Sequence, residues 1–176
     1  MYVDFALLVL RVAVGIVIIG HGILKWGWLG GGGSLTGVAG WFNGLGFRPG
    51  MFWALVASLA EAVGGALTVL GLGGPIGPSV VAADLVVVTV VAHLPKGFWA
   101  QKGGWEFPVP LAAGALAIAL IGNGRWSLDG LLGIALPDSL VQAWAALMIV
   151  GVVLALGSWL VFRPKPAPKP AQQQAA

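Results

Sequence analysis

Five ionisable side chains are spaced along the chain in a way that can place them in one site. His21 and Lys25 stand one helical turn apart in the stretch "HGILKWG", and Glu61, His93 and Glu106 follow in or beside later apolar segments. An imidazole beside a carboxylate can take up and release a proton near neutral pH, and an ammonium group donates hydrogen bonds. These residue types together indicate hydrogen bonding and proton exchange with a small polar group.

The first apolar segment carries three basic side chains on one side. With Arg11 as the origin and about 100° per residue, Lys25 lies about 40° away and His21 about 80° away. His21 and Lys25 are about 6 Å apart along the helix axis, near its end. Ionisable groups inside a membrane are costly and normally face the interior of a helix bundle. We therefore expect this side of the helix to face its neighbours.

We predict that the five side chains line one pocket at an end of the bundle. Pro95 ends the third helix just beyond His93, and the loop that follows is short enough to fold back over that end. Glu61 lies deeper in the bundle. The candidate pocket residues are His21, Lys25, Glu61, His93 and Glu106. The aromatic side chains expected to form its walls are Trp26, Phe98, Trp99 and Trp105.

Several of these residues also have a purely structural interpretation. Lys25 can extend its ammonium group to lipid headgroups, and tryptophans commonly anchor helices at the membrane interface. Glu106 opens the fourth helix, where a carboxylate suits the positive helix end. His21 and His93 gain little from an interface position except hydrogen bonds, which favours a functional role for at least one of them.

Arg11 and Asp84 are expected to form an ion pair inside the membrane. Both lie at a similar depth, in the half of the bundle away from His21, and Glu61 is the competing partner. Asp84 precedes His93 by nine residues, which is about half a turn off in helical phase. This spacing predicts that Asp84 and His93 do not share a site.

The composition is that of an integral membrane protein. Hydrophobic residues make up 59% of the chain, charged residues only 9%, and the mean hydropathy is +0.96. Soluble domains contain about 25% charged residues. The chain has no cysteine, so thiolate metal sites and covalent haem attachment are excluded, and two histidines are too few for a metal cage. The sequence predicts no metal, haem or dinucleotide site and no nucleic-acid partner.

The chain contains five apolar segments that are long enough, or nearly so, to cross a lipid bilayer as helices. They are Phe5–Trp26, Met51–Leu72, Ile76–Leu94, Phe107–Ile121 and Ser139–Phe162. In the first loop, apolar residues from Leu35 to Leu45 recur at helical spacing, which predicts a short helix lying in the interface. Tight turns are expected between the second and third segments and between the fourth and fifth.

These segments predict an all-α membrane protein with three parts. Residues 1–130 are expected to form a four-helix transmembrane bundle, and residues 131–162 an additional transmembrane helix. Residues 163–176, "RPKPAPKPAQQQAA", are predicted to form an extended, disordered tail because they contain no apolar residues beyond alanine and proline.

The order of several motifs resembles that of the DoxX/DoxD-like membrane proteins. The motifs are Arg11…Gly15…His21-Gly22…Lys25, Glu61 with Gly64-Gly65, His93…Gly97-Phe98…Glu106, and the stretch "GNGRWSLD" after the fourth helix. They extend roughly from Phe5 to Asp129. The resemblance implies a four-helix membrane bundle; one branch, DoxD, is the small membrane subunit of thiosulfate:quinone oxidoreductase. It implies no catalytic residues, and the fifth helix and the tail depart from the family pattern.

Three functions fit these features. The first is an integral membrane subunit of a quinone-linked oxidoreductase, with a quinone as cofactor and a protein partner that supplies electrons. The second is a non-catalytic assembly or stabilising subunit of a larger membrane complex, which the fifth helix and the tail favour. The third is a small-solute or proton carrier, which the lack of inverted repeats and broken helices disfavours.

The basic residues are concentrated on one side of the predicted membrane helices. Seven fall in the first loop, the third loop and the tail, and only Arg125 falls on the other side, apart from Arg11 within the first helix. The seven are Lys25, Arg48, Lys96, Lys102, Arg163, Lys165 and Lys169. Loops rich in lysine and arginine stay in the cytoplasm. We therefore expect a multi-pass protein of the bacterial cytoplasmic (inner) membrane, with the N-terminus outside.

This orientation predicts that the C-terminus lies in the cytoplasm. A reporter that is active only in the cytoplasm should be active when fused after Gln174. The matched control is a reporter that is active only outside the cytoplasm, fused at the same position, which should be inactive. The opposite pattern would overturn the predicted orientation.

Overall fold

Apolar α-helices account for most of the chain. The computed structural model describes residues 1–28 and 33–164. The helices are α1 (Tyr2–Lys25), α2 (Leu35–Leu45), α3 (Gly50–Leu70), α4 (Ile76–Val88), α5 (Pro108–Ile121), α6 (Leu128–Leu132) and α7 (Asp138–Phe162). The described residues form no strand, so the all-α prediction is confirmed. The predicted tail from Lys165 onward lies outside the described residues.

Four helices of the described residues are long and apolar enough to cross a membrane. They are α1, α3, α4 with its extension to Lys96, and α7. The fifth apolar helix, α5, has 14 residues and spans about 21 Å, which is less than the hydrocarbon thickness of about 30 Å. These five helices, with α4 taken to Lys96, begin and end within three residues of the predicted segments. The chain is therefore an all-α membrane protein.

The helix ends follow from local sequence. The Ser34 hydroxyl accepts a hydrogen bond from the Gly37 N–H at 3.0 Å and so caps the start of α2. Gly46 ends this helix with φ of 103°, a conformation that favours glycine. The predicted short helix of the first loop is thus present. Pro108 stands in the first turn of α5, where its missing N–H leaves no hydrogen bond unmade.

The connection between α5 and α7 differs from the prediction. A tight turn was expected there, but residues 122–137 contain α6 and an extended segment that leads to Asp138. The expected boundary after residue 130 falls within α6. The reason lies in the side chains of this connection, which are buried and hydrogen-bonded to other loops, as described below.

Four helices form a closed ring. α1 packs against α3, α3 against α4, α4 against α5, and α5 returns to α1, with neighbouring helices antiparallel. α2 packs on α3, and α7 packs on the outer side of α4. The Trp144 indole N–H donates to the Ser79 hydroxyl at 2.8 Å, which fixes α7 to α4. The ring leaves space between its members at one end, where the candidate site lies.

Glycines set the distance between α1 and α3. A Cβ atom at Gly22 would lie 2.7 Å from the Ala62 backbone nitrogen, and one at Gly65 would lie 3.1 Å from the Gly15 carbonyl oxygen. Helices in lipid associate mainly through such close packing, since lipid chains are as apolar as their side chains. Gly64, the neighbour of Gly65, faces α4 instead, so the Gly64-Gly65 pair lets α3 approach two helices at once.

One end of the ring is tied together by Asp129, and we call it the Asp129 end. The Asp129 carboxylate accepts hydrogen bonds from the Gly73 N–H at 2.9 Å, the Gly74 N–H at 2.7 Å and the Asn123 amide at 2.8 Å. The Arg125 N–H donates to the Asp4 carboxylate at 2.9 Å. The start of α1, the α3–α4 turn and the segment after α5 are thereby joined. The opposite end, where α4 finishes, is the His93 end.

The close contact of α1 with α3 predicts a difference between two glycines of the same helix. Gly22→Ala should lower stability by about 1–3 kcal/mol, because its Cβ would overlap the α3 backbone. Gly20→Ala is the matched control, since no atom lies within 4 Å of a Cβ there and alanine favours the helix. Thermal unfolding in detergent should show a lower Tm for the first variant alone. Equal Tm values would contradict the packing described.

Candidate functional site

A cavity of about 720 Å³ opens between the helices toward the His93 end. Residues of α1, α2, α3, α4, α5 and α7 line it. Its volume is within the range of about 300–1,000 Å³ that is usual for small-molecule and cofactor sites. Most of its lining is apolar, and its ionisable lining residues are His21, Lys25, Glu61, Asp84 and His93. The structure therefore brings together four of the five predicted pocket residues and adds Asp84.

Lys25 and Glu61 form an ion pair at this cavity. The Lys25 ammonium donates to the Glu61 carboxylate, and their side chains are 20% and 10% exposed. The pair forms because Gly22, one turn before Lys25, lies directly against Ala62 on α3. Lys25 therefore turns inward to α3 rather than outward to headgroups. Its remaining ammonium hydrogens can donate to a ligand in the cavity.

His93 lies in a turn of π-helix that interrupts the end of α4. The π turn covers Thr89–His93, where the Leu94 N–H donates to the Thr89 carbonyl, and Pro95 follows at once. The His93 Nδ1 is 2.7 Å from the Gly103 carbonyl oxygen. A carbonyl only accepts, so Nδ1 carries the hydrogen, and Nε2 of the neutral ring is left as an acceptor. The Gly103 carbonyl thus fixes the orientation of the imidazole.

The prediction that Asp84 and His93 do not share a site is wrong, since both line the cavity. A π turn accommodates one extra residue within a helix. His93 therefore lies where the eighth residue after Asp84 would lie in a regular helix, about 80° around the axis rather than about 180°. Nothing in the sequence pattern except Pro95 signals this change of phase.

The predicted ion pair between Arg11 and Asp84 is also wrong. Arg11 is fully buried and donates through its guanidinium to the backbone carbonyls of Val69, at 3.1 Å, and Trp126. These acceptors belong to the Asp129 end, so Arg11 joins α1 to α3 and to the segment after α5. Asp84 faces the cavity instead, and no donor among residues 1–28 and 33–164 pairs with its carboxylate.

His21 lies on the cavity side of α1, as its phase relative to Lys25 predicts. Its side chain is exposed, and its ring centre lies 6.1 Å from that of Phe107 at the start of α5. The two imidazoles of the chain therefore line the same cavity from different helices. His21 and His93 can approach one ligand from two sides.

Glu106 does not line the cavity. Its carboxylate accepts a hydrogen bond from the Ala100 N–H at 2.8 Å, and its own N–H donates to the Phe98 carbonyl at 2.9 Å. The carboxylate therefore holds the loop of residues 97–106 in shape and does not fold back over the site. The partner of the carboxylate is thus a backbone N–H six residues earlier in the chain.

The aromatic residues that line the cavity are not the predicted ones. Phe98 packs edge-on against Trp99 and Trp105, with ring centres 5.0 and 4.7 Å apart, and Trp26 packs against Trp28 at 5.9 Å. None of the four predicted wall residues lines the cavity. The aromatic lining is instead Trp41, Phe42, Phe47, Phe52, Trp53 and Phe107. Trp41 and Phe42 belong to α2, the short helix that was predicted in the first loop.

The chemistry available in the cavity is hydrogen bonding and proton exchange. Lys25 supplies donors, His93 presents its Nε2, and Asp84 supplies a carboxyl group that pairs with no donor in residues 1–28 and 33–164. Within the described ranges, no three His, Asp or Glu side chains are grouped so that they could hold a metal ion. The site therefore suits a ligand whose polar group both accepts and donates hydrogen bonds.

The long apolar helices define a multi-pass membrane protein. The DoxX family model matches residues 6–94, about half of the chain, so this protein belongs to the DoxX family. The resemblance noted in the sequence is thereby confirmed. No curated protein and no solved structure matches the chain. All five ionisable cavity residues fall within the matched segment, whereas α5, α6 and α7 follow it.

The two carboxylates of the cavity should respond differently to the same chemical change. Glu61→Gln leaves the Lys25 ammonium without its partner, and such losses in buried pairs cost about 3–5 kcal/mol, less where water still reaches the pair. Asp84→Asn is the matched control, because no donor among the described residues pairs with Asp84. Thermal unfolding in detergent should show a clear loss for the first variant and little for the second. Equal losses would argue against this assignment of partners.

Proposed function

We propose that this protein is the membrane subunit of a quinone-linked oxidoreductase and binds the quinone in the cavity. The observation that carries the proposal is one continuous cavity with ionisable groups on α1, α3 and α4 and an otherwise apolar lining. A quinone has the same division, with two carbonyl oxygens on a ring and an apolar tail. Its carbonyls accept hydrogen bonds, and its reduced form also donates them.

The residues of the cavity have complementary roles in this proposal. Lys25 donates to one ring oxygen while Glu61 balances its charge. His93, oriented by the Gly103 carbonyl, presents Nε2, and His21 lies on a neighbouring helix. Asp84 offers a carboxyl group that can donate when protonated and accept when ionised. A quinone, when bound, carries two electrons and two protons between its oxidised and reduced forms.

A protein partner is part of the proposal. The chain has no cysteine and no strand–glycine-loop–helix fingerprint for a dinucleotide, so electrons would reach the cavity from another subunit. The basic loop residues Lys25, Arg48, Lys96, Lys102 and Arg163 all lie at the His93 end, and Arg125 lies at the other. By the positive-inside rule we propose that the His93 end faces the bacterial cytoplasm, where a soluble electron donor can dock.

Quinone binding should depend on both histidines. A decyl-tailed benzoquinone should quench the fluorescence of Trp41 and Trp53, which line the cavity. His21→Ala and His93→Ala should each raise the Kd about tenfold, because each removes a hydrogen bond worth about 1–1.5 kcal/mol. Glu106→Gln is the control and should leave the Kd unchanged, since Glu106 lies outside the cavity.

The same variants separate this proposal from the assembly-subunit alternative. Purification from native membranes should yield bound quinone with the unaltered chain and less with either histidine variant. A stable heteromeric complex that contains no quinone, and that persists when both histidines are replaced, would overturn the proposal and favour a stabilising subunit.

A further inference from the structure

The cavity has a second, apolar part that is built by α7. Six residues of this helix line it, from Met148 to Ser158, and Ser158 alone carries a polar side chain. These residues span about 15 Å along the helix axis. The ionisable lining residues all belong to α1, α3 and the α4 region. The cavity therefore has a polar part inside the ring and an apolar part beside α7.

The apolar part reaches the outer surface of the protein. Leu154 on α7 and Phe52 on α3 line the cavity, and they are 65% and 54% exposed. Apolar side chains on this surface contact lipid in a membrane. A ligand with an apolar chain can therefore leave part of that chain at the lipid boundary while its polar group lies among the ionisable residues.

Small residues on α7 keep this part of the cavity open. Gly151 lines the cavity, and no atom lies within 4 Å of the position that its Cβ would take. Ala155, one turn later, also lines the cavity and packs in a core cluster with Val91 and Phe47. The space beside Gly151 is therefore available because this position has no side chain.

We propose that α7 forms a chain-binding arm that holds the isoprenoid tail of the ligand, with Gly151 as a specificity-determining residue. The inference rests on the proposed quinone function and adds to it a selection for tail length. Continuity of the arm with the polar part carries the assignment, because one amphipathic molecule can occupy both. The helix responsible, α7, lies outside the segment that matches the family model.

Two quinones and two variants test the arm. The probes are a tail-less dimethoxy-methyl benzoquinone and its decyl-tailed counterpart, measured by tryptophan quenching on the full chain in detergent. Gly151→Leu fills the arm and should raise the Kd of the decyl-tailed quinone about tenfold. The Kd of the tail-less quinone should change less than twofold, because the polar part is untouched.

Gly157→Leu is the matched control. Gly157 lies on the same helix, also has no atom within 4 Å of its Cβ position, and does not line the cavity. It should leave both Kd values unchanged, and both variants should unfold within a few degrees of the original chain.

The outcomes distinguish failure of the proposed chain-binding arm from failure of the proposed quinone function. If neither quinone binds the original chain, the proposed function fails. If both bind and Gly151→Leu weakens neither, or weakens both equally, the arm is overturned while the function stands. Loss of a co-purified phospholipid from Gly151→Leu without any change in quinone affinity would also overturn the arm, since it would assign that space to a lipid acyl chain.

Discussion

The close packing of α1 on α3 is the constraint on which the site depends. Gly15 and Gly22 meet Gly65 and Ala62 with no room for larger side chains, so Lys25 can reach Glu61 within the bundle. A buried ion pair is tolerated only when its geometry is good and neither charge is left alone. Once this pair is in place, the cavity side of α1 is set, and the second carboxylate of the site is left facing open space.

Much of the fold could be predicted because it follows from length and apolarity. Runs of apolar residues, prolines and the Ser34 cap predict the long helices and α2. Helical phase predicted that His21 and Lys25 share a face, and Pro95 indicated that His93 lies at the same end of the bundle. The partners of Arg11 could not be predicted in this way. They are backbone carbonyls, which every residue has whatever its side chain, so the sequence does not indicate which of them accept. The same holds for Glu106, whose partner is a nearby N–H.

The two parts of the cavity differ in their place in the sequence as well as in their chemistry. Every ionisable residue that lines it lies between positions 6 and 94, the segment that defines the family. The apolar wall beside α7 comes from the region that follows. Because the ionisable residues and this wall belong to different segments, substitutions on α7 can change the shape of the cavity without altering its polar groups. The π turn that holds His93 lies at the end of the matched segment, and Pro95 follows just beyond it.

The hydrogen bonds of Asp129 and Arg11 make one end of the bundle a fixed pivot. They join the start of α1, the turn between α3 and α4 and the segment after α5, so these helices keep their separation there. At the opposite end, within residues 1–28 and 33–164, the Lys25–Glu61 pair joins α1 to α3. Helices that are joined more firmly at one end than at the other separate by rotation about the firmer end. Admission of a bulky molecule would therefore widen the His93 end by rotation of the helices about the Asp129 end, with the largest displacement where the imidazoles lie.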